Sequence, residues 1–282
     1  MKNLILILLS HLKTPQYILK NILWRFPKSI SKEEIVFVMG TPRSGTTLIQ
    51  KVFEAHSKLF SIDGETAMFS FQNFWEPNRM HFKLEKVKRD KFLSDSKDSV
   101  DFFTKCVQHL KSLNSGKKFI EKTPQHIKHL KFLLKHFPNA KFVHVVRDGR
   151  DCYCSARQHP FIPQSSSLKT FSKYYNFCLK QGIESFNNER VYTLKYEDFV
   201  SLPNDSLSEI MVFLGLNVEE NQFQASSRKG DKRAQLQQFK KLNEPINNSS
   251  VARWRTELTQ KENKEFNKYS KDVMRFFDYP LV

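Results

Sequence analysis

The stretch Ile35–Ile49, IVFVMGTPRSGTTLI, begins with a compact apolar run, Ile35–Met39, rich in β-branched and aromatic residues. Such a run, bounded by turn residues, reads as a buried strand. Gly40, Pro42 and Gly45 break the chain into a tight loop, and Thr46-Thr47-Leu48-Ile49 starts a helix whose apolar positions continue at Val52 and Phe53. Strand, glycine loop and helix together make an anion nest, because backbone N–H groups of the loop and helix N-terminus point at one spot. A triphosphate-binding loop of pattern G-x-x-x-x-G-K-[ST] would carry lysine at position 46. Gly40, Gly45 and Thr47 fit that pattern, but Thr46 stands in the lysine's place and the cation lies inside the loop as Arg43. Taken alone, the stretch is also a glycine turn before a core helix.

Farther along, Lys141–Val146, KFVHVV, reads as another strand, and Arg147-Asp148-Gly149-Arg150-Asp151 leads from it into a helix that carries Ser155. An arginine at a strand tip and a hydroxyl on the following helix can share a phosphate. Taken with this second site, PRSGTTL at Pro42–Leu48 resembles the 5′-phosphosulfate loop of the sulfotransferases, in its tyrosylprotein and bacterial branches, where arginine stands in place of the cytosolic branch's lysine. Arg147 to Ser155 is similar to that family's 3′-phosphate motif, R-D-x-R-x-x-x-x-S. The resemblance covers most of residues 35–255. It implies 3′-phosphoadenosine 5′-phosphosulfate as donor, bound without a metal, and transfer of its sulfuryl group to an acceptor hydroxyl or amine.

On that resemblance the donor contacts are Arg43, Ser44, Gly45, Thr46 and Thr47 in the loop and Arg147 and Ser155 at the other phosphate. Gly64-Glu65-Thr66 resembles the family segment whose glutamate is the proposed general base, which assigns that role to Glu65. Lys122-Thr123-Pro124, after the short strand Phe119–Glu121, resembles the family's Lys-Thr-Pro, whose lysine approaches the transferring group. Tyr196, in Tyr196-Glu197 after the strand Val191–Lys195, would lie near the adenosine, or is a core tyrosine at a strand end. Arg253, in Arg253-Trp254, and Arg228, in Arg228-Lys229-Gly230, compete to complete the 3′-phosphate site, with Arg253 ranked first. The tyrosylprotein branch has serine where this chain has Ala252.

The 282-residue chain carries a net charge of +17, with 39% hydrophobic and 13% aromatic residues and 26 phenylalanines. That composition belongs to a globular protein with a large core. The charge favours anionic partners, and no nucleic-acid-binding motif accompanies it, so nucleic acid is not expected. Cys106, Cys152, Cys154 and Cys178 form no C-x-x-C pair and read as reduced packing residues of a cytoplasmic protein. Residues 1–34 form a separate amphipathic helical segment, ended by Pro27. Its apolar run Leu4–Leu9 is too short to span a bilayer, so the segment either packs on the domain or lies on an anionic membrane surface.

Four strands that each feed a helix, with Leu59–Ile62 as a further short strand, predict a three-layer α/β/α fold, P-loop-like, with a central parallel sheet, over residues 35–282. The helical repeats Val100–Leu110, Ile127–Phe137, Leu168–Phe186 and 256–276 supply its outer layers. Phe69, Phe71, Phe74 and Trp75 are expected in the core or lining an acceptor pocket, and His159–Ser167 as a lid loop. The acceptor, whether sugar, lipid, small phenol or peptide tyrosine, is not legible. Two other classes stay open: a P-loop kinase or nucleoside triphosphatase, which the missing loop lysine opposes, and a non-catalytic polyanion binder, which Glu65 and Lys122 oppose.

Overall fold

The computed structural model describes residues 2–70, 73–159, 162–225 and 244–281. Five parallel strands build its sheet: β1 (Ile35–Gly40), β2 (Leu59–Ser61), β3 (Lys118–Lys122), β4 (Lys141–Val146) and β5 (Val191–Lys195), in the order β2-β3-β1-β4-β5. The central strand β1 is buried at every position. It pairs with β3 (Val36 opposite Ile120) on one side and β4 (Phe37 opposite Phe142) on the other. A strand buried on both faces must be apolar throughout, which is why IVFVM shows no alternation.

Period-two geometry sends alternate side chains to two cores. Ile35, Phe37 and Met39 join Phe119, Phe142 and Val146 in the larger one, and Val36 and Val38 join Ile120, Val143, Val145 and Leu194 in the other. The larger core packs under the helices Ser99–Leu113, Gly149–Ala156, Leu168–Lys180 and Gln260–Phe276, and much of the phenylalanine lies here. Phe37 stacks on Phe142 at 5.2 Å and meets Phe137 edge-on at 5.3 Å. The smaller core lies under Thr46–Glu54, Tyr196–Ser201 and Pro203–Leu214. This is the expected three-layer arrangement.

Several helices differ in detail from the apolar spacing. After Pro124 the chain first makes a 3₁₀ turn, Pro124–His129, and only then the helix Leu130–His136. The Thr123 hydroxyl does not cap this turn, because it is committed to Glu121 and to the Ala67 amide. The last helix starts at Gln260 and not at 256, because Thr259 and Glu262 form a reciprocal capping box. The N-terminal segment is broken by Pro15 into Lys2–Leu12 and Ile18–Leu23, and its helix ends before Pro27. All four cysteines are free and buried.

Candidate active site at the strand tips

Each functional stretch follows the C-terminal end of a parallel strand, where open α/β sheets place their ligands. The glycine loop follows β1, Lys122 closes β3, Arg147 follows β4, and Tyr196 follows β5.

The loop is held by close approaches that exclude larger residues. A Cβ at Gly40 would lie 2.3 Å from the Val145 carbonyl oxygen. Gly45 caps the helix Thr46–Glu54 with a φ of 105°, and a Cβ there would lie 2.5 Å from the Tyr196 ring. No side chain caps this helix, so its first N–H groups keep their donors for an anion. Ser44 Oγ is fully buried and has no hydrogen-bond partner among the described residues. Alanine at Gly45 should therefore cost about 1–2 kcal/mol from the left-handed backbone alone. It also displaces Tyr196, so nucleotide affinity should fall with stability. A variant with unchanged melting temperature and unchanged affinity would show that the loop tolerates a side chain.

Arg43 itself has a φ of 69°, and this turn aims its guanidinium across the loop so that Nε donates to Ser155 Oγ at 3.0 Å. Thus a residue of the glycine loop touches the helix that follows β4. Burial first, then the charges of Arg147 and Arg253, lowers the Arg43 pKa from its ordinary value, the mark of a cation crowded among cations. Arg147 is buried, 4% exposed, and donates to the carbonyls of Arg43, at 3.1 Å, and Ser250. Its guanidinium lies 4.5 Å from the Tyr196 ring centre and 3.9 Å from the Asp151 carboxylate. Its Nε has no partner among the described residues. Two orphaned donors, Ser44 Oγ and Arg147 Nε, set among positive charges, suit a ligand with more than one phosphate.

The supports of Arg147 are themselves held by hydrogen bonds and packing. Tyr175 Oη donates to the Arg147 carbonyl at 2.9 Å, and Asp148 caps the helix Gly149–Ala156 while pairing with Arg150 at 2.6 Å. Arg150 in turn lies over Trp254 at 3.6 Å. Arg253 binds Glu257 at 2.6 Å, yet its charge reaches Arg43. Arg228 lies outside the described residues.

On the β3 side, Lys122 Nζ lies 2.8 Å from Glu65 Oε1. The lysine side chain is 2% exposed and the glutamate 39%, so the cation is set in the wall and the carboxylate faces solvent. Sequence spacing did not show this pair, because the two residues lie on different elements. Of the aromatic cluster expected in the core or at an acceptor pocket, the core reading holds for Phe69. Phe69 turns into the core against Phe103, Phe132 and Phe137, and Phe71 lies outside the described residues. Instead, the charge of Glu65 is felt by His159 and Tyr174. His159 titrates below its ordinary value through burial and then Arg43, with Glu65 opposing. Tyr174, which no motif singled out, is pushed up by burial and by Cys178.

Known proteins resemble this arrangement. Protein-tyrosine sulfotransferase 2 of Gallus gallus is 27% identical over 204 residues, covering 66% of this chain and 53% of that protein. The chain spans about half the length of the first curated relatives it matches. Among solved structures, the sulfotransferase domain of the Synechococcus PCC 7002 olefin synthase superposes with a TM-score of 0.72 at 18% identity, covering 91% of this chain and 98% of that one. Mouse sulfotransferase SULT7A1, solved with PAP, gives 0.54 at 16% identity, covering 88% and 86%. The model of the sulfotransferase family matches residues 35–220, a span that holds the glycine loop, Glu65, Lys122, Arg147, Ser155 and Tyr196, and the chain belongs to that family.

Proposed function

We propose that this chain is a sulfotransferase that uses 3′-phosphoadenosine 5′-phosphosulfate and an acceptor hydroxyl or amine. The observation that carries the reading is the Arg43–Ser155 hydrogen bond, which brings an anion loop and a second phosphate motif to one spot. The orphaned Ser44 Oγ and Arg147 Nε supply the fit. Arg43, Ser44, Gly45, Thr46 and Thr47 would hold the 5′ end of the donor. Arg147 and Ser155 would hold its 3′-phosphate, with Arg253 beside them, and Tyr196 would flank the adenosine. The donor supplies the sulfuryl group, whose bond to the 5′-phosphate oxygen breaks as the acceptor's oxygen or nitrogen bonds to sulfur. Lys122, Arg43 and the N–H groups of Gly45–Thr47 stabilise charge on the leaving and sulfuryl oxygens, and Glu65 takes the acceptor proton.

Adenosine 3′,5′-bisphosphate should raise the melting temperature well above the effect of ATP or adenosine 5′-phosphate, as measured by scanning fluorimetry. A preference for ATP with magnesium would move the chain to the kinases. The acceptor is then found by screening hydroxyl compounds, lipids and tyrosine peptides with the donor for the mass gain of one sulfuryl group.

Residues 1–34 we assign as a peripheral membrane-contacting segment beside the catalytic unit of residues 35–282. Apart from Trp24, which packs into the core, its described leucines and isoleucines face outward. Asn21 and Thr14 face the protein, where Asn21 donates to Asn73 Oδ1 at 2.8 Å and Asn73 donates to Thr14 Oγ1 at 2.9 Å. Leu8, Leu12, Leu19, Leu23 and Phe26 face out, with Phe26 76% exposed. Residues 1–32 hold six Lys or Arg and no acidic residue. A second copy would meet that charge with its own, whereas an anionic leaflet complements it at about 1 kcal/mol per cation. No described helix is long and apolar enough to cross a membrane. The chain should co-sediment with vesicles rich in phosphatidylglycerol, lose binding in high salt, and bind less as Leu19→Glu or Phe26→Glu. Equal binding to neutral vesicles, or none to either, would remove the assignment.

A further inference from the structure

Behind the Glu65–Lys122 pair lies a buried carboxylate with no part in the chemistry above. Glu121 is the residue before Lys122 on β3 and is 1% exposed. Its Oε1 accepts from Thr66 Oγ1 at 2.6 Å and Thr123 Oγ1 at 2.7 Å, and its Oε2 faces His126 Nδ1 at 2.9 Å. With His126 Nε2 accepting from the Phe69 amide, the ring proton lies on Nδ1 and points at Oε2, and the two hydroxyls donate to Oε1, so Glu121 is an acceptor on both oxygens.

Each of the three donors has a second task. Thr123 Oγ1 accepts from the Ala67 amide at 3.1 Å, Thr66 Oγ1 from the Met68 amide at 3.3 Å, and His126 Nε2 from the Phe69 amide at 3.3 Å. Three consecutive backbone N–H groups of the loop that follows Glu65 are thus received by groups whose own protons point at Glu121. The loop needs such a hold: Gly64 has φ 105° and Ala67 φ 48°, the latter a left-handed conformation that a side chain disfavours. Consecutive strand residues grip consecutive loop residues, with Lys122 on Glu65 and Glu121 on Thr66.

We infer that Glu121 is a positioning residue for the transfer reaction: its carboxylate orients Thr66, Thr123 and His126 so that all three accept loop amides, and this fixes Glu65 beside Lys122. The inference rests on the roles proposed above for Glu65 and Lys122. Glutamine at 121 keeps the shape but replaces one acceptor oxygen by a donor. Whichever way the amide is turned, a donor then faces Thr66 and Thr123, whose hydroxyl protons lose their acceptor, or faces His126, whose ring proton must move to Nε2 and release the Phe69 amide.

The test uses the full chain and any accepted hydroxyl acceptor. Glu121→Gln should lower kcat about 10–100-fold, the scale of a small misplacement of a catalytic group, leave affinity for adenosine 3′,5′-bisphosphate unchanged, and speed amide hydrogen exchange in residues 64–69. Thr123→Val should act in the same direction, and Thr123→Ser, which keeps the hydroxyl, should recover most of the loss. This pair carries the test if Glu121→Gln fails to fold. In a Glu65→Gln background, Glu121→Gln should cost little more, because the group it positions is already disabled. Wild-type kcat in Glu121→Gln and Thr123→Val, a kcat loss without faster loop exchange, or full additivity with Glu65→Gln would each overturn the inference. If Glu65→Gln itself keeps its turnover, the base assignment fails separately, and the loop exchange and the Thr123 pair still decide whether Glu121 positions the site.

Discussion

Glu65→Gln should lower kcat by about 10²–10⁴, the usual share of general acid–base catalysis, and leave the affinity for adenosine 3′,5′-bisphosphate unchanged. The geometry makes glutamine a clean probe. Glu65 contacts Lys122 through Oε1 at 2.8 Å, and a glutamine carbonyl still accepts that bond, more weakly for lack of the charge. The loop on either side keeps its shape without the charge, because its amides are received by Thr123, Thr66 and His126 and not by Glu65. What glutamine cannot do is take a proton. The loss should therefore fall in kcat, with the acceptor KM little changed. Steady-state kinetics with an acceptor that attacks through a hydroxyl measures the split, and calorimetry gives the nucleotide affinity. Near-normal turnover would make Glu65 a partner for Lys122 and nothing more. His159, whose titration responds to both Arg43 and Glu65, would then be the next base to replace.

The parts of the site legible in the sequence are those built by neighbours in the chain. An apolar run followed by Gly, Pro and Gly reads as a strand and a turn, although the room that Gly40 and Gly45 must leave is set by Val145 and Tyr196 far along the chain. The strands that end at Lys122, Arg147 and Tyr196 followed from pattern, whereas the roles of Lys122 and Tyr196 came from the family resemblance. What pattern does not carry is which distant side chains meet. Arg43 and Ser155 are 112 residues apart in sequence, and nothing in either motif says that one donates to the other. Glu121 stands between Ile120 and Lys122 at the end of β3, and nothing in the sequence says that Thr66 and His126 are brought to it. The N-terminal segment misleads in another way. Apolar stripes normally face the core, and the buried Asn21–Asn73 pair together with the exposed Leu12, Leu19 and Leu23 shows that this one is turned outward.

Arg147→Ala should weaken binding of adenosine 3′,5′-bisphosphate by about 1.5–3 kcal/mol, the worth of charge-assisted hydrogen bonds. Ser155→Ala should cost less, about 0.5–1.5 kcal/mol, since its hydroxyl already receives Arg43. Arg147 also has a structural share. It ties the Arg43 carbonyl to that of Ser250 and lies against Asp151, which is buried and accepts from the amides of Ala252 and Trp254. Removing one member of a buried ion pair typically costs about 3–5 kcal/mol of stability, so the melting temperature of Arg147→Ala should fall even without ligand. The two effects separate through the ligand. Adenosine 5′-phosphosulfate has no 3′-phosphate, so it loses only what the displaced loop costs, whereas the bisphosphate loses that and the phosphate contact. Calorimetric titration of wild type and both variants with both nucleotides therefore gives a difference that belongs to the 3′-phosphate alone. If Arg147→Ala weakens the two ligands equally, the arginine is a cross-link of the fold, and the 3′-phosphate must be sought nearer Arg253.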